Sequence, residues 1–496
     1  MGNDRNPRHT SGRRRSPSLS PTSPCPDKKR RLEPPPLASQ PHVPNLPTKR
    51  RVLFEIVANT PPSSLERDLE ESGIRVTRED VEEVLKLSYA FPSSAVKFFR
   101  WSGRLLNDDH SPYAWNLVVD MLGKNSLFDA MWEAIKSMMR KGLISLATFA
   151  SVFSNYVVAD RVKDALLTYE VMDQYGVPRD VVALNSLVSA ICRDGRTKAA
   201  AAFLLVEKER VRPDTDTYAI LLEGSENEGD VPGSKQTFSN MVYEIGWDTK
   251  NVPAYTSFLC TLLRGSGGLH EAMKFYEMVS ERRCYPGMKF FKDALDNCVK
   301  RVDTEGAVLI WEAMTRRVGF RPDTEMCNSM IALHCFDNRI DSAKRLFDEM
   351  VYLGTFPDDR TYNLLFQFLV KSRRLGEALS LFDEMIKNEI LPSRANCIAA
   401  VKLYVDSSEP GAAIRVWKWM IQHYFSELDD TGNFLIVGLL DLERLPEAVK
   451  YSKDIIERGI KLYSSTLSRL KQSLFKVRKE PVYEELSRKW KAHRQL

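Results

Sequence analysis

Leu346-Phe347-Asp348-Glu349-Met350 returns unchanged as Leu381-Phe382-Asp383-Glu384-Met385, 35 residues further on. The two stretches belong to near-copies, Thr324 to Asp358 and Asp359 to Ser393. Cys327-Asn328 opens the first where Tyr362-Asn363 opens the second, and Pro357-Asp358 closes the first where Pro392-Ser393 closes the second. Self-similarity at this period marks an array of stacked supersecondary units, so the fold is decided by the repeat and not by chain length.

Extending that frame both ways gives about ten units: 112–145, 146–180, 181–214, 215–251, 252–287, 288–323, 324–358, 359–393, 394–428 and 429–463. The second half of each carries apolar or small residues at i, i+3, i+4 and i+7. Examples are Ala343, Leu346, Phe347, Met350; Ala378, Leu381, Phe382, Met385; and Ala413, Val416, Trp417, Met420. That spacing lines one face of a helix. The first half is a second helix, as in Tyr362, Leu365, Phe366 and Leu369, joined to its partner by a turn at or near Gly, Asn or Asp. One such hairpin leaves an apolar face uncovered, and stacking supplies the core. The expected fold is all-α, an α-solenoid superhelix of helix-turn-helix repeats with a concave groove.

Charge divides the chain more sharply than the net +5 suggests. Residues 1–51 hold 12 basic and 3 acidic side chains and 11 prolines, residues 464–496 hold 9 basic and 3 acidic, and the stretch between holds 50 basic against 60 acidic. A uniformly basic nucleic-acid binder is excluded, and no run nears 18 apolar residues, so no membrane span is expected. The Pro- and Ser-rich leader, 1–51, is expected to be disordered, because it buries too little apolar surface to offset ordering. It reads as an address: an organelle transit peptide or, from Lys28 to Arg31 between Pro26 and Pro34, a nuclear import signal. A solvated tail with no address is the third reading. Residues 52–111 are expected to form an N-terminal helical cap, 112–463 the repeats, and 464–496 basic capping helices. The eight cysteines make no C-x-x-C pair and sit at apolar helical positions, the pattern of buried thiols in a reducing compartment.

The 35-residue two-helix unit also suits a tetratricopeptide repeat, but that family's Trp, Leu-Gly and Tyr signature is missing. Over roughly three quarters of the chain the units instead resemble the pentatricopeptide repeat, through Thr361-Tyr362-Asn363, Ala378, Leu381 to Met385 and Leu391-Pro392, and through Val181 to Asp214 with its closing Arg212-Pro213-Asp214. The resemblance implies a plain-class plant organellar protein that reads single-stranded RNA one base per unit, using the fifth residue of a unit with its last. Carried across, the base readers are Asn116 with Ser145, Asn185 with Asp214, Thr256 with Gly287, Asn328 with Asp358, and Asn363 with Ser393. Asn with Asp resembles the family's uracil preference, and Asn with Ser a looser pyrimidine preference. Five units depart from this: Ala150 with Asp180, Ala219 with Asn251, Lys292 with Asp323, Ile398 with Leu428, and Asn433 with Tyr463. The competing reading of the asparagines is that Asn near a helix start is a favourable cap.

One frame position near the end of the first helix is basic in five units: Lys124, Arg193, Arg264, Lys300 and Lys371. In a solenoid these fall along one line, where they could follow an RNA backbone; equally, cations there complement the helix macrodipole. No deaminase H-x-E with P-C-x-x-C, P-loop or G-x-G-x-x-G occurs. No catalytic residue, cofactor or metal ligand is expected, and the chain is not expected to be an enzyme. The function these readings give is a sequence-preferring, pyrimidine-leaning binder of single-stranded RNA in mitochondrial transcript stabilisation, processing, splicing or translation, with possible protein partners. The alternative is a protein-interaction scaffold using the superhelix groove.

Overall fold

The computed structural model describes residues 47–493, so the basic clusters at 13–15 and 28–31, and Cys25, lie outside the described residues. Two compact units divide at His110 and Ser111. Among the described residues every regular element is helical.

The first unit holds α1 (Thr48–Asn59), α2 (Leu65–Glu71), α3 (Arg78–Leu87) and α4 (Pro92–Leu105), with α1 on α3 and α2 on α4. Leu53, Val57, Leu69, Val81, Val84 and Phe98 are fully buried between them. Pro92 begins α4, where its missing N–H costs nothing. The leader boundary expected at 51 is corrected here, because α1 starts at Thr48. The last proline of the leader is Pro47, and Lys49 and Arg50 pair with the buried Asp80 at 2.5 and 2.9 Å. Asp80 also accepts the Thr77 backbone N–H within the capping box of α3. Asp80→Ala is expected to lower the melting free energy of this unit by about 1–2 kcal/mol, the scale of a lost cap plus a partly exposed ion pair.

The second unit is a run of helix pairs. In chain order they are α5 (Pro112–Lys124) and α6 (Phe128–Arg140), α7 (Leu146–Val158) and α8 (Val162–Val171), α9 (Val181–Arg193) and α10 (Thr197–Glu207), α11 (Thr215–Glu228) and α12 (Val231–Glu244). Then come α13 (Val252–Arg264) and α14 (Gly268–Ser280), α15 (Met288–Arg301) and α16 (Thr304–Glu312), α17 (Thr324–Phe336) and α18 (Ile340–Leu353), α19 (Asp359–Lys371) and α20 (Leu375–Lys387). The last are α21 (Arg394–Asp406) and α22 (Pro410–His423), α23 (Asp429–Asp441) and α24 (Leu445–Glu457), α25 (Ser464–Lys476) and α26 (Glu480–His493). The i, i+3, i+4, i+7 sets are the buried stripes of the second helices, including Ala343, Leu346, Phe347 and Met350 of α18 and Ala413, Val416, Trp417 and Met420 of α22.

Each first helix packs on the next first helix, from α5 on α7 through to α23 on α25, whereas of the successive second helices only α24 and α26 approach as closely. Shorter spacing in one layer bends the array toward it, so the first helices line its inner side. Small residues allow this approach. A Cβ on Gly438 of α23 would fall 2.1 Å from Cγ1 of Val405 on α21.

The turn inside every pair but α13 and α14 repeats one backbone shape more faithfully than any residue. Ser126, Asp160, Gly195, Gly229, Val302, Asn338, Arg373, Ser408, Glu443 and Arg478 all sit at φ between 55° and 74°. Gly, Asn and Asp, the residues expected at this turn, hold only some of these places. Val302, at φ 56°, is the costly one, because a β-branched side chain in the left-handed region crowds its own backbone. It is exposed, so Val302→Gly should stabilise the protein by about 1 kcal/mol, read as a rise in melting temperature.

Candidate nucleic-acid interface

The fifth residue of a unit lies one turn inside the first helix, and the last residue of that unit is the N-cap of the next first helix. Asp180, Asp214, Asp323 and Asp358 accept the backbone N–H of Ala183, Thr217, Met326 and Thr361 at 2.8–2.9 Å, and Ser393 accepts that of Asn396 at 3.3 Å. Capping therefore belongs to the last residues. The asparagines are free of it, each already within a helix.

Several expected pairs meet. Asn185 Nδ2 donates to Asp214 Oδ1 at 3.1 Å while its Oδ1 accepts the Thr217 hydroxyl at 2.6 Å. Asn328 Nδ2 donates to Asp358 Oδ1 at 3.2 Å. There Thr361 gives its hydroxyl proton to Asp358 instead, at 2.7 Å, and Asn328 Oδ1 is enclosed without a partner in a side chain 3% exposed. Thr256 Oγ1 donates to Val252 O and accepts Gly287 N–H at 2.8 Å. Asn363 is differently engaged: both its N–H groups go to backbone carbonyls, Asp359 at 2.8 Å and Leu391 at 2.9 Å, and its oxygen accepts Ser393 N–H. Asn433 repeats that geometry with Asp429, Lys461 and Tyr463. No bond joins Asn116 to Ser145; Asn116 Oδ1 accepts the Thr148 hydroxyl at 2.7 Å, and its amide N–H groups have no partner among the described residues.

Asn185 and Asn116, both half-buried, thus keep amide N–H groups to offer a ligand; Asn328 keeps one too, in a side chain that must be uncovered before a ligand reaches it; Asn363 and Asn433 keep none. In the departing units Lys292 is closed onto Asp323 at 2.7 Å, and Ala150, Ala219 and Ile398 have nothing to donate. The residue missed by the sequence reading is the third of the following unit, Thr148, Thr217 and Thr361, whose hydroxyl arbitrates between Asn and Asp. Its recurrence at one frame position was the available signal.

All five stripe cations are exposed at the ends of their helices. Lys124 pairs with Asp120 at 2.8 Å, Arg264 donates to Glu226 O at 2.6 Å, and Lys371 lies 5.1 Å over the Phe368 ring. Among the described residues Arg193 and Lys300 make no ion pair within 4.0 Å. In the other units Val158, Asn227, Phe336, Asp406 and Asp441 hold this position, so the basic line is interrupted.

Around α13 the groove side is closed. Lys289 of α15 reaches Glu226 of α11 at 2.6 Å, past the intervening α13, whose residues Ala254 through Leu263 are all buried. Thr256, one of the expected readers, lies within that buried run.

Models described as PPR repeat family, PPR repeat and Pentatricopeptide repeat domain match residues 322–371, 113–143 with 360–390, and 167–225, respectively. Over these stretches the chain carries pentatricopeptide repeats. An Arabidopsis thaliana protein named as mitochondrial and pentatricopeptide repeat-containing is 31% identical over 172 residues, covering 35% of this chain and 33% of its own. A second of that name is 23% identical over 309 residues, 62% of this chain and 53% of its own. The matched stretch thus spans between a third and about half the length of these relatives. Among solved pentatricopeptide structures, PPR10 in complex with an 18-nt psaJ RNA element gives a TM-score of 0.41 at 20% identity over 89% of this chain and 68% of that one. Yeast Rmd9p with a 16-nt target RNA gives 0.31 at 12%, over 90% and 96%. At such scores the fold rests on the helix order itself.

The caps give the pentatricopeptide array a pH response. Burial alone would raise the Asp214 and Asp358 carboxyls, but hydrogen bonds from Asn185 and Thr217, and from Thr361 and Asn328, outweigh it and hold both below the usual carboxylate range. A depressed folded pKa gives stability that is full above the unfolded value of about 3.9 and is lost as pH falls through the folded one. Melting temperature should therefore stay level down to about pH 4 and drop below it. The Asp214→Asn and Asp358→Asn double variant, which keeps a capping oxygen, should show a shallower acid slope.

Proposed function

We propose that the inner layer of first helices binds single-stranded RNA, with individual units facing individual bases, and acts on the transcript by occupying it. The observation that carries this reading is the repeated Asn–Asp pair. At Asn185 with Asp214 and Asn328 with Asp358 a cap orients an amide at the same frame position, with an N–H left over. Such a group can hydrogen-bond a base edge, and the same pairing in the family's motif implies uracil. Arg193, Lys300, Lys371, Lys124 and Arg264 supply cations on the same layer of first helices for phosphates. The footprint is sparse, because the amides of Asn363 and Asn433 hold backbone and the groove is closed at α13. The relatives' names favour a mitochondrial address, where the role would be the plain-class one in transcript stabilisation, processing, splicing or translation, and Lys28 to Arg31 gives the nuclear alternative. A fluorescent fusion with and without residues 1–46 separates the two.

Selection from a randomised RNA pool tests the binding. Enrichment of pyrimidine-containing single strands is expected, with preference for uracil at two positions. A pool that emerges without enrichment from folded protein would leave the scaffold reading, a groove that holds a partner peptide.

A further inference from the structure

Glu226 near the end of α11, Cys260 in α13 and Asp293 in α15 come from three successive units, yet a carboxylate oxygen, Sγ and a carboxylate oxygen lie within 4.8 Å of one another. Glu226 and Cys260 are each 1% exposed, and Asp293 is half-buried. Lys289 Nζ meets Glu226 Oε1 at 2.6 Å and Arg264 stands 3.6 Å from it, but Glu226 Oε2 is enclosed with no partner. A buried carboxylate oxygen left without a hydrogen-bond donor is costly even where the other oxygen of the group is paired, and here it belongs to a group that converges on two further ligand atoms.

We propose that Glu226, Cys260 and Asp293 form a binding site for a zinc-class divalent cation. One thiolate and two carboxylates are three protein ligands of the kinds zinc accepts, with a fourth position for water, whereas calcium and magnesium take oxygen ligands alone. Burial, with the Glu226 and Asp293 charges beside it, pushes the Cys260 thiol up, so without metal the sulfur keeps its proton. On binding, the S–H bond breaks, the sulfur lone pair goes to the cation and the proton leaves to solvent; nothing is oxidised or reduced. Lys289 is the resident counter-ion. Its flexible stem, 57% exposed, lets the ammonium move off as the metal enters. Other buried thiols lack this setting: Cys335 and Cys397 are pushed up by burial alone. The bound cation would clip α11, α13 and α15 together, whether or not the groove holds RNA.

The full chain, reduced and freed of metal, is titrated with cobalt(II) chloride. One equivalent should produce a thiolate-to-cobalt charge-transfer band in the near ultraviolet, and zinc chloride should abolish it by displacement. Cys260→Ser should remove the band, and Glu226→Gln, which keeps shape, should weaken binding at least about tenfold. Cys397→Ala should retain it. Circular dichroism confirms that each variant is folded. Absence of the band from folded wild-type protein, its survival in Cys260→Ser, or an unchanged cobalt affinity in Glu226→Gln overturns the site.

Discussion

Replacing both Asn185 and Asn328 with alanine is expected to weaken binding to the selected RNA by about 100-fold, while Asn363→Ala changes it by less than about threefold. Each of the first two amides has an N–H to give, and losing a base contact of about 1–1.5 kcal/mol is roughly tenfold in affinity. Asn363 has none to give, since its N–H groups bond Asp359 and Leu391 and its oxygen takes Ser393 N–H. Its removal strands the Leu391 carbonyl and Ser393 N–H at the junction between units, so the effect should appear as about 1–2 kcal/mol of lost stability. Equilibrium binding and urea melts on the same preparations separate the two. Loss of affinity in Asn363→Ala equal to that in Asn328→Ala would contradict the division of roles.

The largest loss of stability is expected from Trp417→Ala, about 3–5 kcal/mol, the range for emptying a buried indole site. Trp417 is fully buried on α22, and a Cβ on Gly432 of α23 would lie 2.9 Å from its ring. Gly432→Ala should therefore also destabilise, by about 1–3 kcal/mol through overpacking. Trp417→Phe should cost much less than alanine, because the indole Nε1 has no partner and its loss removes a buried donor left unmatched. In a stacked array each unit rests on its neighbours, so denaturant melts of Trp417→Ala should show loosening that begins in this region. A melt that coincides with wild type would refute the packing argument.

The repeat, its frame and the buried stripes were legible in the sequence because all follow from periodic apolar spacing, which survives substitution of individual residues. The turn was less legible. Its left-handed backbone is fixed by the helices on either side, and Arg373, Glu443 and even Val302 occupy it without the glycine that a reader looks for. At the readers the frame position was readable but the availability was not. Asn328 and Asn363 are the same residue type in the same place, and the difference lies in which neighbours their amides meet. The Glu226, Cys260 and Asp293 group was invisible for another reason: ligands one unit apart adjoin only when helices stack, so no short motif records them.

Because the closing Asp of one unit caps the opening helix of the next, the units are not self-contained parts. A cut after Asp358 would leave α19 without its cap, and a cut before it would strip Asn328 of the carboxylate that holds it. Anyone shortening, lengthening or shuffling this array should splice within the turn joining the two helices of a pair. There the chain crosses with one backbone shape and little regard for side chain, and both halves of each cap travel together.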